Sequence, residues 1–483
     1  MRGLLRLSGC ELARRIRDGE VTSRRVCEAH IDRIRAVNPV INAVVADRFE
    51  AALREADAAD TLVRTGPRQA LPPFHGVPCT IKEAFAVQGM PNTAGLVTRQ
   101  GQLSADDAPT VARVRAAGAI VLGVTNISEL CMWMESDNRV YGRSNNPYDP
   151  TRIVGGSSGG EGAIVGAGGS PFGLGSDIGG SIRGPAFFNG VFGHKPTGGL
   201  VPSTGQYPRA EGSSMRLMTT GPIARRAEDL YPLLRLLAGP DAQDPSCKSM
   251  KLGDPAEVDL STLRVLDIED NGTTPVSPEL RAGQRRIADF LASKGARVRR
   301  ERIPALVHSF EIWSAVMAEA THTSFAELLG DGRRLNVKRE LGRLLVGRSA
   351  HTLPALGLAV LEGLAARLPD RTRRMARLGR DLEAQMMDLV GENGVLLYPS
   401  YPTTAPRHGH PILRPLRWVY FGILNVLAMP STQVPLGLGR GGLPLGLQVA
   451  AAPGNDHLTL AVAAELERAF GGWVAPPDLR AAT

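Results

Sequence analysis

Apolar residues recur at helical spacing in Cys27, Ile31, Ile34 and Val37, and again between Ala51 and Leu62. This period of three to four marks amphipathic helices over residues 8–62. Ser8, with Glu11 three residues on and Leu12 and Ile16 behind it, predicts a capping box at the first helix start. A Pro- and Gly-marked loop follows over 63–73, then a short buried strand over 75–81 that runs into Lys82. A helix over 108–118 precedes another buried strand over 119–124. From 222 onward the alternation resumes, with helices over 230–237 and 278–294 and strands over 263–266 and 296–298. Residues 305–390 are mostly helical, and 395–398 read as a buried strand. A last strand is expected at Val449 and a last helix over 458–470. Such βα alternation predicts an α/β fold. The expectation is one large α/β/α layered domain over 1–483, with a central mixed, mostly parallel twisted sheet covered by helices.

Residues 140–200 break this pattern. Glycine is dense and helix formers are few, a composition that in isolation describes a linker. Ile164, Val165, Phe172 and Ile178 interrupt it, which a flexible linker has no use for. The mixture points to packed backbone that must approach something closely.

Composition narrows the function classes. The 483 residues are 43% hydrophobic and 22% charged, which excludes disordered and fibrous classes. Net charge is +8, carried by 50 arginines and six lysines. The arginines are scattered among acidic residues, so nucleic acid is not an expected partner. The densest group, Arg371, Arg373, Arg374, Arg377 and Arg380, reads as a solvated helix face or a surface for anionic partners. Five cysteines without paired spacing argue against a disulfide frame or a zinc site. His408 and His410 form the one close histidine pair, with no acidic or Cys ligands beside it, so neither metal nor other cofactor is expected. No apolar run reaches the ~18–20 residues of a bilayer span. Leu7-Ser8-Gly9-Cys10 matches a lipidation box in letters, but the apolar stretch before it is far shorter than a signal peptide requires. A cytoplasmic location is the default expectation.

Three pieces carry candidate chemistry. Residues 76–83 end in Ile81-Lys82-Glu83. Residues 155–160 read Gly-Gly-Ser-Ser-Gly-Gly. Residues 175–183 read Gly-Ser-Asp-Ile-Gly-Gly-Ser-Ile-Arg. Singly, each has a plain explanation: a surface lysine, a turn, or an anion-binding loop. The loop lacks the terminal Gly-Lys-Ser/Thr of a nucleoside-triphosphate site. Together they resemble the amidase signature family, with 75 residues from Lys82 to Ser157 and 24 from Ser157 to Ser181. The resemblance runs from the Ser8 region to about Trp473.

The resemblance implies that Ser181 is the nucleophile, Ser157 the proton shuttle and Lys82 the base. It implies an oxyanion hole of the backbone N–H groups of Ile178, Gly179, Gly180 and Ser181. Ser158 and Ser176 would support the relay, Asp177 and Arg183 would do structural work, and the Gly156–Ser157 peptide would be cis. The chemistry is consistent with these roles. A serine hydroxyl needs an adjacent base, and a lysine becomes one only when burial lowers its pKa.

Within the family, residues 140–148, 181–190 and 455–460 resemble the fatty-acid amide hydrolases of the second type and their bacterial amidase relatives. Gly184 departs from that pattern, where a larger residue is expected. The alternatives are the glutamine-hydrolysing subunit of an amidotransferase, whose motif differs at Ile178 and Gly184, and a non-catalytic binding member. The implied substrates are small-molecule amides, and by shared mechanism esters, anilides and carbamates, with an apolar part. A homodimer is common in the family. Met132, Trp133, Met134 and Phe187 are candidates for the pocket lining, and equally for the core. The apolar stretch 353–368 reads as a helix packed on the core, or as a pocket wall or lipid-facing surface within a helical region, 305–390, that shapes the pocket.

Overall fold

The structure, a computed structural model, describes residues 3–478 apart from 213, 322 and 366–368. Thirteen strands are present among them. They are β1 (Val44–Asp47), β2 (Pro78–Lys82), β3 (Ile120–Thr125), β4 (Asp137–Asn138), β5 (Gly142–Arg143), β6 (Phe172–Asp177), β7 (Phe192–Lys195), β8 (Thr219–Ala224), β9 (Arg264–Asp267), β10 (Arg297–Arg300), β11 (Gly394–Pro399), β12 (Ser431–Leu438) and β13 (Pro444–Ala451). Eleven of them form one sheet in the order β1-β3-β2-β6-β8-β7-β12-β13-β11-β9-β10, and β4 pairs with β5 apart from it.

The mixed sheet covered by helices is as expected, but its mostly parallel character is not. The parallel ladders are β2–β3, β2–β6, β9–β11 and β9–β10. The other six neighbouring pairs are antiparallel and include the whole centre of the sheet. The reason is local. β12 turns directly into β13 through Gly439–Gly442 hydrogen bonding, and so short a connection joins an antiparallel pair, since a parallel one requires a long crossover. β8 enters between β6 and β7 and runs antiparallel to both.

The helices follow the apolar periodicity. Leu230–Leu237 buries Leu230, Leu233, Leu234 and Leu237, and Pro278–Ser293 buries Leu280, Ile287 and Leu291. At the first helix, Ser8 accepts from the Glu11 N–H at 2.9 Å. The reciprocal half of the capping box is missing, because the Glu11 carboxylate binds Arg14 and Arg15 instead. The apolar helix spans Leu353–Ala365; residues 366–368 of that expected stretch lie outside the described residues. Ala355, Leu356 and Ala359 pack in a small core with Leu96, Leu130 and Phe325, whereas Leu353, Val360 and Leu361 are exposed. The arginines of Pro369–Val390 are solvated: Arg371, Arg373 and Arg380 pair at the surface with Glu311, Asp370 and Glu319. No helix among the described residues is long and apolar enough to cross a membrane.

Burial on both faces explains β2 and β6, in which every residue is buried. They run parallel with Thr80 opposite Gly173 and Ile81 opposite Leu174. That register brings the end of β2, Lys82, beside the end of β6, Ser176 and Asp177.

Candidate active site

Lys82 closes a strand of Pro78, Cys79, Thr80 and Ile81 and has no exposed surface. Its Nζ lies 2.7 Å from Ser157 Oγ and 3.0 Å from Ser176 Oγ. Burial pushes the pKa of this amine below its usual value, against the pull of Cys131, Asp177 and Glu161. Desolvation disfavours the ammonium form, so the amine is poised to accept a proton from Ser157. Two buried carboxyl groups flank it. Burial raises Glu83 to about 7, although Thr93, Tyr141 and Ala94 all donate to it. Burial raises Glu161 to about 8 while Thr80 and Thr125 donate to its two oxygens.

Ser157 follows a cis Gly156–Ser157 peptide. A side chain at Gly156 would overlap the Trp133 carbonyl and the Ser128 hydroxyl, so only glycine allows the close approach. The Ser157 carbonyl accepts from Ser136 Oγ at 3.2 Å, which fixes the loop from behind. Ser158 N–H donates to the Ser181 carbonyl at 3.3 Å. This bond brings the two serine segments together. Ser158 Oγ donates to the Ser176 carbonyl at 3.4 Å. Ser157 is buried and Ser181 half-buried, so of the two serines Ser181 faces outward.

Ser181 sits on a turn built by Asp177. The Asp177 carboxylate accepts from Gly180 N–H at 2.8 Å and Ile182 N–H at 3.0 Å. It also pairs with Arg183, whose Nε and Nη2 lie 3.0 and 2.9 Å from its two oxygens. Burial works against this ionised carboxylate, yet Arg183 and the Ile182 amide outweigh it and hold Asp177 well below the usual carboxylate range. Arg183 in turn donates to the Phe421 carbonyl, Gln448 and Asn425, so no face of the buried guanidinium lacks a partner. Gly180 has a φ of +115° and a side chain there would overlap Phe421; this is a conformation that only glycine adopts easily.

The expected oxyanion donors divide here. Gly180 N–H is engaged with Asp177, whereas the amides of Ile178, Gly179 and Ser181 meet no acceptor among the described residues. Of the candidate lining residues, Phe187 is 1% exposed and packs in the core against Phe188, and Met134 is also buried in that core. Met132 and Trp133 are half-buried, with Met132 against the small core under the helix Leu353–Ala365.

Three neighbours of the site had no signal in the motifs. The Cys131 thiol faces Lys82, on a backbone with positive φ at Leu130 and Cys131. Trp313 donates its Nε1–H to the Ile178 carbonyl at 3.1 Å. Trp418 packs edge-to-face on Trp313, with centroids 4.7 Å apart. Both tryptophans lie more than 130 residues beyond Ile178, so only the fold reveals them. Among the described residues no group of three or more His, Cys, Asp or Glu could hold a metal ion; His408 contacts Glu135 and the Pro150 carbonyl instead.

A family model described as Amidase matches residues 25–460. The chain is 50% identical to fatty-acid amide hydrolase 2-A of Danio rerio over 98% of its own length and 90% of that protein. It is 45% identical to fatty-acid amide hydrolase 2 of Homo sapiens over 98% and 91%. Among solved structures, 6-aminohexanoate cyclic dimer hydrolase complexed with substrate superposes with a TM-score of 0.78 at 29% identity, covering 98% of this chain and 99% of that one.

Proposed function

The chain belongs to the amidase family, and on that premise we propose that it cleaves acyl C–N bonds of small molecules through an acyl-enzyme carried by Ser181, Ser157 and Lys82. The observation that carries the reading is the fully buried Lys82 Nζ at 2.7 Å from Ser157 Oγ. Burial makes a base of the lysine, and the contact couples it to a serine whose neighbour is bonded to the Ser181 segment.

Lys82 takes the Ser157 proton as Ser157 takes that of Ser181. Ser181 Oγ then forms a bond to the substrate carbonyl carbon. The developing oxyanion is received by the open amides of Ile178, Gly179 and Ser181; each such donor contributes about 3–4 kcal/mol in acyl transfer. Collapse breaks the C–N bond, and the proton held on Lys82 passes back through Ser157 to the leaving nitrogen, which leaves as neutral amine. Water, deprotonated along the same path, attacks the acyl-enzyme, releases the carboxylic acid and restores Ser181. Esters and carbamates present the same carbonyl to the same nucleophile, so they extend the proposed substrate range. Fatty-acid amides come into it through the two relatives so named.

The test is a panel of amides, matched esters and a dicarbamate with the wild type and Ser181→Ala, with released amine or alcohol followed by chromatography. Turnover that Ser181→Ala lowers at least about a thousandfold supports the reading. Turnover that survives the substitution sinks it.

A further inference from the structure

The four tryptophans of this chain are placed in contrasting ways. Trp473 is 7% exposed and donates to the Gly166 carbonyl, an anchor in the core. Trp313 and Trp418 are half-buried and meet at the turn that carries the nucleophile. Trp313 comes from the helix Ser309–Ala320, and Trp418 caps the helix Val419–Val426. Their rings are 4.7 Å apart at 84°, and Phe310 adds a third ring 6.5 Å from Trp418. Two glycines make room for the pair. A carbon added to Gly179 would lie 3.1 Å from Trp418 and 3.5 Å from Trp313. One added to Gly422 would overlap Trp418 and lie 3.1 Å from Trp313.

The turn side of this corner is half-open as well, since Ile178, Gly179 and Ser181 are all half-buried. Large apolar rings left partly in water beside a reactive serine are unused contact surface. Two planes at a right angle define an inside corner that suits a flat ring, which can stack on one indole while its edge meets the other. An aliphatic chain gains no such geometry.

We propose that Trp313 and Trp418 form an aromatic wall that receives a planar ring bonded to the scissile carbonyl carbon or to its nitrogen, so that this site selects aryl over saturated cyclic amides and carbamates. The inference rests on the amide-hydrolase reading for its reaction but not for its binding. The test therefore uses the full chain with Ser181→Ala, which binds without turnover. Titration calorimetry compares N-methylbenzamide with N-methylcyclohexanecarboxamide, and acetanilide with N-cyclohexylacetamide. In at least one pair the aryl member binds about three- to tenfold more tightly. Adding Trp418→Leu removes that advantage, and Trp418→Phe, a milder change that tests the wall even if the leucine variant does not fold, reduces it. Equal affinity within both pairs, or an advantage that survives in whichever Trp418 variants fold, overturns the proposal. Absent wild-type turnover with the aryl preference intact would sink the hydrolase reading and leave the wall standing.

Discussion

Replacing Arg183 with methionine tests whether the turn under Ser181 is held by charge. The Arg183 and Asp177 side chains are both fully buried. Removing one partner of a buried ion pair destabilises by about 3–5 kcal/mol, because the other charge is left without compensation. The acceptors on Phe421, Gln448 and Asn425 also lose their donor. An unfolding entropy of about 2.1 cal/mol/K per residue gives about 1 kcal/mol/K for a chain of this length. Melting, followed by differential scanning fluorimetry, should therefore fall only about 3–5 °C. Activity should fall far more. Without Arg183, burial drives Asp177 to take up a proton, and the carboxylate that orients Gly180 and Ile182 is lost. The same turn holds the neighbouring Gly179 and Ser181 amides, and loss of an oriented oxyanion donor lowers kcat about 100- to 1000-fold. Adding Asp177→Asn to Arg183→Met should recover part of the stability, since no bare charge remains, and none of the activity. A variant that melts within 1 °C of wild type and keeps kcat/KM within threefold would refute the reasoning.

Three further predictions concern the buried titrating groups. Lys82→Ala should slow amide cleavage about 100- to 10,000-fold and ester cleavage less, because a leaving amine needs the returned proton; equal loss on matched substrates contradicts the role. Since the amine acts when neutral, wild-type amide turnover should rise with pH through the lowered Lys82 pKa and then level off. The folded Glu161 pKa of about 8 lies above its ordinary value of 4.5, so its protonated form contributes stability that is complete below pH 4.5 and lost as pH rises through about 8. Glu161→Gln should flatten stability across that window, as read by urea melts between pH 5 and 9; an unchanged slope would remove Glu161 from the account.

The sequence carried the long, strongly periodic elements well. Leu230–Leu237 and Pro278–Ser293 bury the residues their spacing marks. The strands β7, β8 and β12 escaped notice because they are short or broken by Gly and Pro, as in Thr219–Ala224 and Ser431–Leu438. Burial on both faces removes the alternation that marks a strand. The single strand β1 interrupts the stretch over 8–62 that reads as helices throughout. Within the site, the serines and Lys82 were legible because a motif fixes their spacing. Trp313 and Trp418 were not, since nothing local distinguishes them from core residues. Met134 and Phe187 show the reverse: side chains near the motifs that the fold sends inward.

The ladder between β2 and β6 sets a division of labour. One residue of slip would turn Lys82 to the opposite face of the sheet, so the main-chain ladder holds the base in step with the segment bearing Ser176 and Asp177. The tryptophans that pack on the nucleophile's turn hang from helices near the other end of the sequence. Reaction machinery and ligand preference are thus written in separable stretches of the gene. Exchanging residues 309–320 and 410–418 between relatives, with the Phe421 and Asn425 partners of Arg183 left in place, is accordingly a route to new specificities on an unaltered chemical engine.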